Sequence, residues 1–377
     1  MKTIFLYIIA IFTATYTMSS QAAWYEVTGS STILANESEA RLLALEDATY
    51  QAMVFSGGDM SSLKHLRPFL EKGEDDYQFS NSEVRQIQII KERQKDGKYY
   101  LTARMDIYPS ANSCHTTQYK KTFLIGNIDL VSPQQAVMGK IYQIGDDLSA
   151  LFTRQINRES QSFISVGVTD LEIRQDRPSI MKMIAEDTGA HYIIGGSITD
   201  LSATIDQKLL QSDQTNRQFA LSIFVIDGKT GQTIYQNSYR EIAEWPFAKT
   251  SHVDTKSARF WTSTYGQMIL RVSRNMMLDL EGEFACKMTL PQVIAVKGNK
   301  VSIDLGRIHG VQQGDTLDLW HTSSFIDQRG LPRNKVSKTD ITLTVTRIYE
   351  QGAELEINQP QLASSIQIGD VMHIQIE

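Results

Sequence analysis

The chain has 377 residues with 37 basic and 43 acidic side chains, a formal net charge of −6, which argues against a basic nucleic-acid binder. Hydrophobic residues at 41% and charged residues at 21% are the mix of a folded globular protein, which excludes a disordered chain. At roughly 100 to 200 residues per domain, the length predicts two or three domains.

Residues 1–22 read as a secretory signal peptide. Lys2 gives a positive start, Ile4 to Met18 is apolar apart from threonines and tyrosines, and Ser20-Gln21-Ala22 sets small residues at −3 and −1 of a cleavage site. The apolar run is shorter than the roughly 20 residues of a bilayer span, and no later segment approaches one. The mature chain then starts at Ala23, with 36 basic and 43 acidic residues, in an exported, oxidising space. Cys114 and Cys286 are the only cysteines. Export favours a disulfide between them, closing 286 minus 114, or 172, positions and stabilising by roughly 5 kcal/mol in the chain-entropy picture. The alternative is two buried reduced thiols.

From 23 to 109 the pattern predicts an α+β domain. Trp24 to Gly29 is a strand, and Asn36 or Ser38 caps a helix. Ala40, Ala44, Ala48 and Ala52 give that helix one small-residue face, which suits packing flat on a sheet, and Gly57-Gly58 ends it. Residues 58–82 read as a loop or irregular insertion. Strands at 83–95 and 98–108 form a hairpin over Asp96-Gly97, with Tyr99, Leu101, Ala103, Met105 and Ile107 on one side.

From 110 to 286 strands alternate with helices, predicting an α/β domain. Thr122 to Asn127 is a strand, Ser132-Pro133 starts a long helix through Ile141, Ile144, Leu148 and Phe152, and 162–168 is the next strand. A helix at 179–188 stops at Gly189, a strand follows at 191–197, and 218–226 with 232–241 make a hairpin. One last helix runs from about Lys256 to Leu280. From 287 to 377 helical signals vanish. Val311-Gln312-Gln313-Gly314-Asp315 is echoed by Ile366-Gln367-Ile368-Gly369-Asp370, each a turn feeding a strand, and this predicts a small closed β-barrel.

Chemical motifs are lacking. Gly228-Lys229-Thr230 has Ile223 where a phosphate-binding loop needs glycine. The seven histidines include no HExxH and no helical i, i+4 pair, so no metal site is read, and no cofactor either. Asp75-Asp76 and Asp146-Asp147 are adjacent pairs that regular structure points apart. Gly195-Gly196-Ser197 lacks nucleophile-elbow spacing. No catalytic residue is assigned, and an enzyme is not expected. Trp245, Phe247 and Trp261 are candidate partner anchors, with core packing as the plainer alternative.

Ala23-Trp24-Tyr25-Glu26-Val27-Thr28-Gly29, the Glu39-Ala40-Arg41 helix with Ala44-Leu45-Glu46-Asp47-Ala48, and the Gly310-Val311 to Gly314-Asp315 box resemble the flagellar assembly protein T family. The resemblance runs over essentially the whole chain. It implies a periplasmic protein with a middle domain like the N-terminal domain of TolB and a C-terminal β domain. It further implies an H ring built from copies of the chain and other H-ring proteins around the outer basal-body rings. That ring supports incorporation of T-ring proteins and of the sodium-driven stator. The alternative is a TolB-like periplasmic envelope adaptor serving secretion or outer-membrane integrity. Nucleic-acid partners and a membrane span are not expected.

Overall fold

The computed structural model describes residues 23–34, 36–58, 63–80, 82–108, 118–206, 214–326 and 332–375. The signal-peptide reading of 1–22 and Cys114 lie outside them. The chain is mixed α+β and multidomain, built around separate buried cores.

The first core lies between helix α1 (Glu37–Ser56) and a sheet of β1 (Ala23–Thr32), β4 (Lys98–Ile107), β3 (Val84–Lys95) and β2 (Asp76–Gln78). Asn36 accepts from the Ser38 N–H, and Gly57 closes α1 in the left-handed region at φ 81°. The alanine face exists because α1 approaches β1 very closely: a Cβ on Gly29 would stand 2.1 Å from the Ala44 carbonyl oxygen. The Asp96-Gly97 turn has both φ values positive, 53° and 74°, as the two-residue hairpin requires. The segment expected to be loop instead carries helix α2 (Leu63–Leu70) and β2. Leu66 and Leu70, one turn apart, bury against the α1 core and make that short helix stable in spite of Pro68.

The middle domain is a sheet ordered β10 (Thr233–Glu244), β9 (Gln214–Asp227), β7 (Tyr192–Asp200), β5 (Lys121–Leu130) and β6 (Phe163–Thr169), with β8 (Ala203–Asp206) beside β9. Helices α3 (Ile144–Glu159) and α6 (Thr264–Phe284) cover the face carrying Phe123 and Ile125. Helix α4 (Pro178–Thr188) covers the face carrying Leu124 and Ile193. Two helices expected to be continuous are broken. After Pro133 the chain makes short 3₁₀ turns, because Gly139 takes φ 80° under the Trp245 ring and no further helix can pass; α3 starts only at Ile144. Before α6 a single turn, α5 (Ala258–Trp261), stops where Ser263 caps the next helix by accepting from the Gly266 N–H.

The C-terminal strands are β11 (Val293–Lys297), β12 (Lys300–Ile303), β13 (Thr316–Ile326), β14 (Pro332–Ile348), β15 (Ala353–Ile357) and β16 (Val371–Ile374). Pairing runs β11-β12-β15-β14-β13-β16, and Gln292 bridges back to Val371. The sequence echo is an atomic one. Asp315 and Asp370 accept from the N–H of Gln312 and Gln367 at 2.9 and 2.8 Å, and Gly314 and Gly369 have φ 93° and 98°. Each turn is clamped by paired backbone bonds, to Val345 in one case and Val293 in the other.

Candidate functional site

Two seams and one crevice are the places where this chain brings unlike elements together. At the first seam β1 pairs with β4 on one side and, in parallel, with β14 on the other, Tyr25, Val27 and Glu26 standing opposite Asn334, Val336 and Lys335. The N-terminal and C-terminal strands thus share one ten-stranded sheet. Trp320 of β13 and Val336 of β14 are buried in the N-terminal core, the Trp320 ring 5.9 Å from Phe55. Sequence periodicity gives no sign of this seam.

The second seam joins the middle and C-terminal domains. The backbone N–H of Lys120 donates to the His309 carbonyl at 2.8 Å, and the Tyr119 hydroxyl donates to Asp315 at 3.1 Å. Burial first, and then the Asp315 charge, raises the Tyr119 pKa, so its proton stays in place. His191 and His309 meet here edge to face, 5.6 Å between ring centroids. Lys121, also fully buried, donates to the Ala285 carbonyl at 3.1 Å, and burial lowers its pKa to about 8 while Glu281 opposes the shift. The seam was missed because its histidines come from distant segments.

The crevice, about 510 Å³, opens at the carboxyl ends of β5 and β6. The chain leaves β5 toward α3 on one face of the sheet and leaves β6 toward α4 on the other, which splays the loops apart as at a topological switch point. Asp146 and Asp147 open α3 at its rim, where the helix dipole favours negative charge. Burial, then the charges of Asp147, Asp129 and Asp170, raises the Asp146 pKa, and Lys256 opposes this. Asp147 accepts from Thr255, and Asn127 donates to Asp170 at 2.9 Å. Among the described residues no cluster of three or more His, Cys, Asp or Glu is arranged to hold a metal.

Trp245, Phe247 and Trp261 do come together, around Phe260: Trp245 lies 5.0 Å from Phe247, and Phe260 lies 5.0 Å from Trp261. Their fates differ. Trp245 is buried, with the Arg217 guanidinium 4.4 Å from its ring, whereas Phe247 and Trp261 are half-buried. Arg217, which no sequence motif signals, is itself fully buried and donates to the carbonyls of Leu201, Met138 and Gln135 at 3.0, 2.9 and 2.6 Å. Cys286 is buried just after α6. Among the described residues no helix is long and apolar enough to cross a membrane.

Comparison with known proteins follows the same division. Residues 23–109 match the family model described as flagellar assembly protein T, N-terminal domain; 112–255 match its middle domain and 298–374 its C-terminal domain. No curated protein matches the chain. Among solved structures, the hypothetical protein CT253 from Chlamydia trachomatis is 13% identical over 44% of this chain and 98% of its own, with a TM-score of 0.33. The PelC dodecamer from Paraburkholderia phytofirmans is 7% identical over 46% and 93%, TM-score 0.28. Lipoprotein GNA1162 from Neisseria meningitidis is 9% identical over 42% and 99%, TM-score 0.25. Overlaps this slight do not bear on the whole fold. The three family matches, in order and without overlap, do: this chain belongs to the flagellar assembly protein T family.

Proposed function

We propose that this protein is a periplasmic assembly subunit of the flagellar basal body, exported by cleavage near Ala22. Copies of it, with other H-ring proteins, form the H ring around the outer basal-body rings and support incorporation of T-ring proteins and of a sodium-driven stator. The observation that carries the reading is the ordered match of all three domains to one family of flagellar assembly proteins. The seams support it physically. A ring closes only when every subunit presents its two unlike faces at a fixed rotation, and β1 against β14, with Lys120 and His309 at the other junction, ties the domains together by backbone bonds.

The finer architecture belongs to the same proposal. The domains are 23–109, 110–286 and 287–377, the middle one is related to the N-terminal domain of TolB, and the last closes as a small barrel, for which the Gln292–Val371 bridge is the support. Cys114 pairs with Cys286. Gln118, four residues from Cys114, accepts from the Lys121 ammonium at 3.4 Å, the same group that donates to Ala285 beside Cys286, and four residues span at most about 14 Å. Phe247 and Trp261, half-buried, remain the available aromatic anchors.

Co-purification tests the function. Basal bodies isolated with their native complement of rings should retain the mature chain in stoichiometric amount with the outer-ring proteins. Its absence from them, or its presence in the cytosolic fraction, contradicts the reading.

A further inference from the structure

The seam between α3 and α6 holds a groove of about 450 Å³ that the assembly reading does not use. Its floor is Leu151 and Leu270, both half-buried, and its walls carry Arg154 and Arg158 from α3 and Arg271 and Arg274 from α6. Glu159 is the one acid on the lining. The helices are held side by side by the Ser273 hydroxyl donating to Gln155 at 2.7 Å and by Ser160 donating to Glu281. The four arginines therefore stand on facing helical edges, with Arg158 one turn beyond Arg154 and Arg274 nearly one beyond Arg271.

Three guanidiniums without a carboxylate partner on one lining concentrate positive charge on an acidic chain. Its net charge is −6, and Arg41, Arg67, Arg104, Arg174, Arg240, Arg307 and Arg347 each have a carboxylate partner. In the groove only Arg271 has one, Glu241; Arg154, Arg158 and Arg274 are exposed and make no ion pair among the described residues. Like charges one turn apart destabilise a helix by a few tenths of a kcal/mol per pair. Folding has no use for that repulsion, and a bound anion removes it.

We propose that the α3–α6 groove docks an acidic amphipathic segment of a partner protein. Guanidinium forks take carboxylates in bidentate geometry, and their helical spacing matches carboxylates one turn apart on a ligand helix. The leucine floor takes the apolar side chains of the same segment, the pattern of helix-in-groove recognition. A recessed seam between two helices fits such a segment better than it fits a planar membrane. The inference goes beyond the ring reading and does not depend on it.

The test uses the purified mature chain and four probes: a labelled synthetic helix with Glu and Leu at helical spacing, its Gln-for-Glu and Lys-for-Glu counterparts, and phosphatidylglycerol vesicles. The acidic helix should bind with a salt-sensitive affinity that falls roughly tenfold or more in Arg158→Glu/Arg274→Glu. The neutral counterpart should not bind. Arg158→Gln/Arg274→Gln, which adds no new repulsion, should weaken binding in the same direction, and Arg177→Glu on the distant α4 cap should leave it unchanged. A helix whose acidic positions are changed to lysine should bind the charge-reversed variant and not the parent. Equal binding of the neutral helix, binding unaltered in both double variants, or binding to vesicles alone overturns the proposal. No ring or basal body enters the measurement, so its failure leaves the assembly reading standing, and the failure of that reading leaves this one standing.

Discussion

His191 of the middle domain and His309 of the C-terminal domain are both built to be neutral. Each ring uses Nδ1 as an acceptor, from the Thr122 N–H at 3.0 Å and from the Gly306 N–H at 2.9 Å. Neither nitrogen can take a proton without losing that bond. Burial first, then the neighbouring charges of His309, Lys229 and Lys121, lowers the His191 pKa to about 3, and burial lowers that of His309 to about 4.

A pH prediction follows from the sign of these shifts. In the unfolded chain both rings titrate near 6.5, so between about pH 4 and 6.5 the unfolded state holds more protons than the folded one. Stability is then complete above about pH 6.5 and falls as pH drops toward 4. For His309 the loss is on the order of 2–3 kcal/mol. Urea denaturation at a series of pH values checks this: His309→Gln should flatten the slope over that window, and an identical slope in the variant contradicts it.

Trp320 closes the other seam. Truncation to Ala removes the largest fully buried side chain and its contact with Phe55, at an expected cost of about 3–5 kcal/mol. Since the lost packing lies between domains, Trp320→Ala should also make the N-terminal domain separable by limited proteolysis. Equal protease resistance in variant and parent would mean that β1 is held by its backbone pairing alone.

Arg217 holds three carbonyls that lysine, with one nitrogen, cannot reach together. Arg217→Lys should destabilise the middle domain by roughly 2–4 kcal/mol, since buried carbonyls left unpaired cost about 1–3 kcal/mol each. Trp245, under its guanidinium, should report the transition by fluorescence. A variant as stable as the parent would show that the turn around Gly139 does not rest on Arg217.

Pairing of Cys114 with Cys286 predicts an intact mass two hydrogens below the reduced chain, with no thiol open to alkylation before reduction. Cys286→Ser should cost about 2–5 kcal/mol, and Cys114→Ser the same, because the same loop constraint is lost in either. Two alkylatable thiols in the native protein, isolated without reductant, would contradict the pairing.

What could be read from the residues was what local chemistry decides. The Asp96-Gly97 turn, the Asn36 and Gly57 ends of α1 and the twin Gly-Asp turns are each written in a few adjacent residues, and each has the expected backbone. The breaks at Gly139 and Ser263 went unseen because a tryptophan more than 100 positions away fixes the first, and the second is a single serine inside an otherwise helical pattern. The short α2 was hidden in polar sequence because it buries only Leu66 and Leu70 fully. The β1–β14 register and the arginine groove depend on which elements become neighbours, and hydrophobic period is silent on that.

Electron microscopy of basal bodies from a strain lacking the gene, set beside the same strain carrying the wild-type chain, is the decisive check on the proposed place of this protein in the flagellar base. The outer-ring region should be thinner in the deletion and restored in the complemented strain, with swimming lost and regained in step. Basal bodies of identical outline in both strains would contradict it.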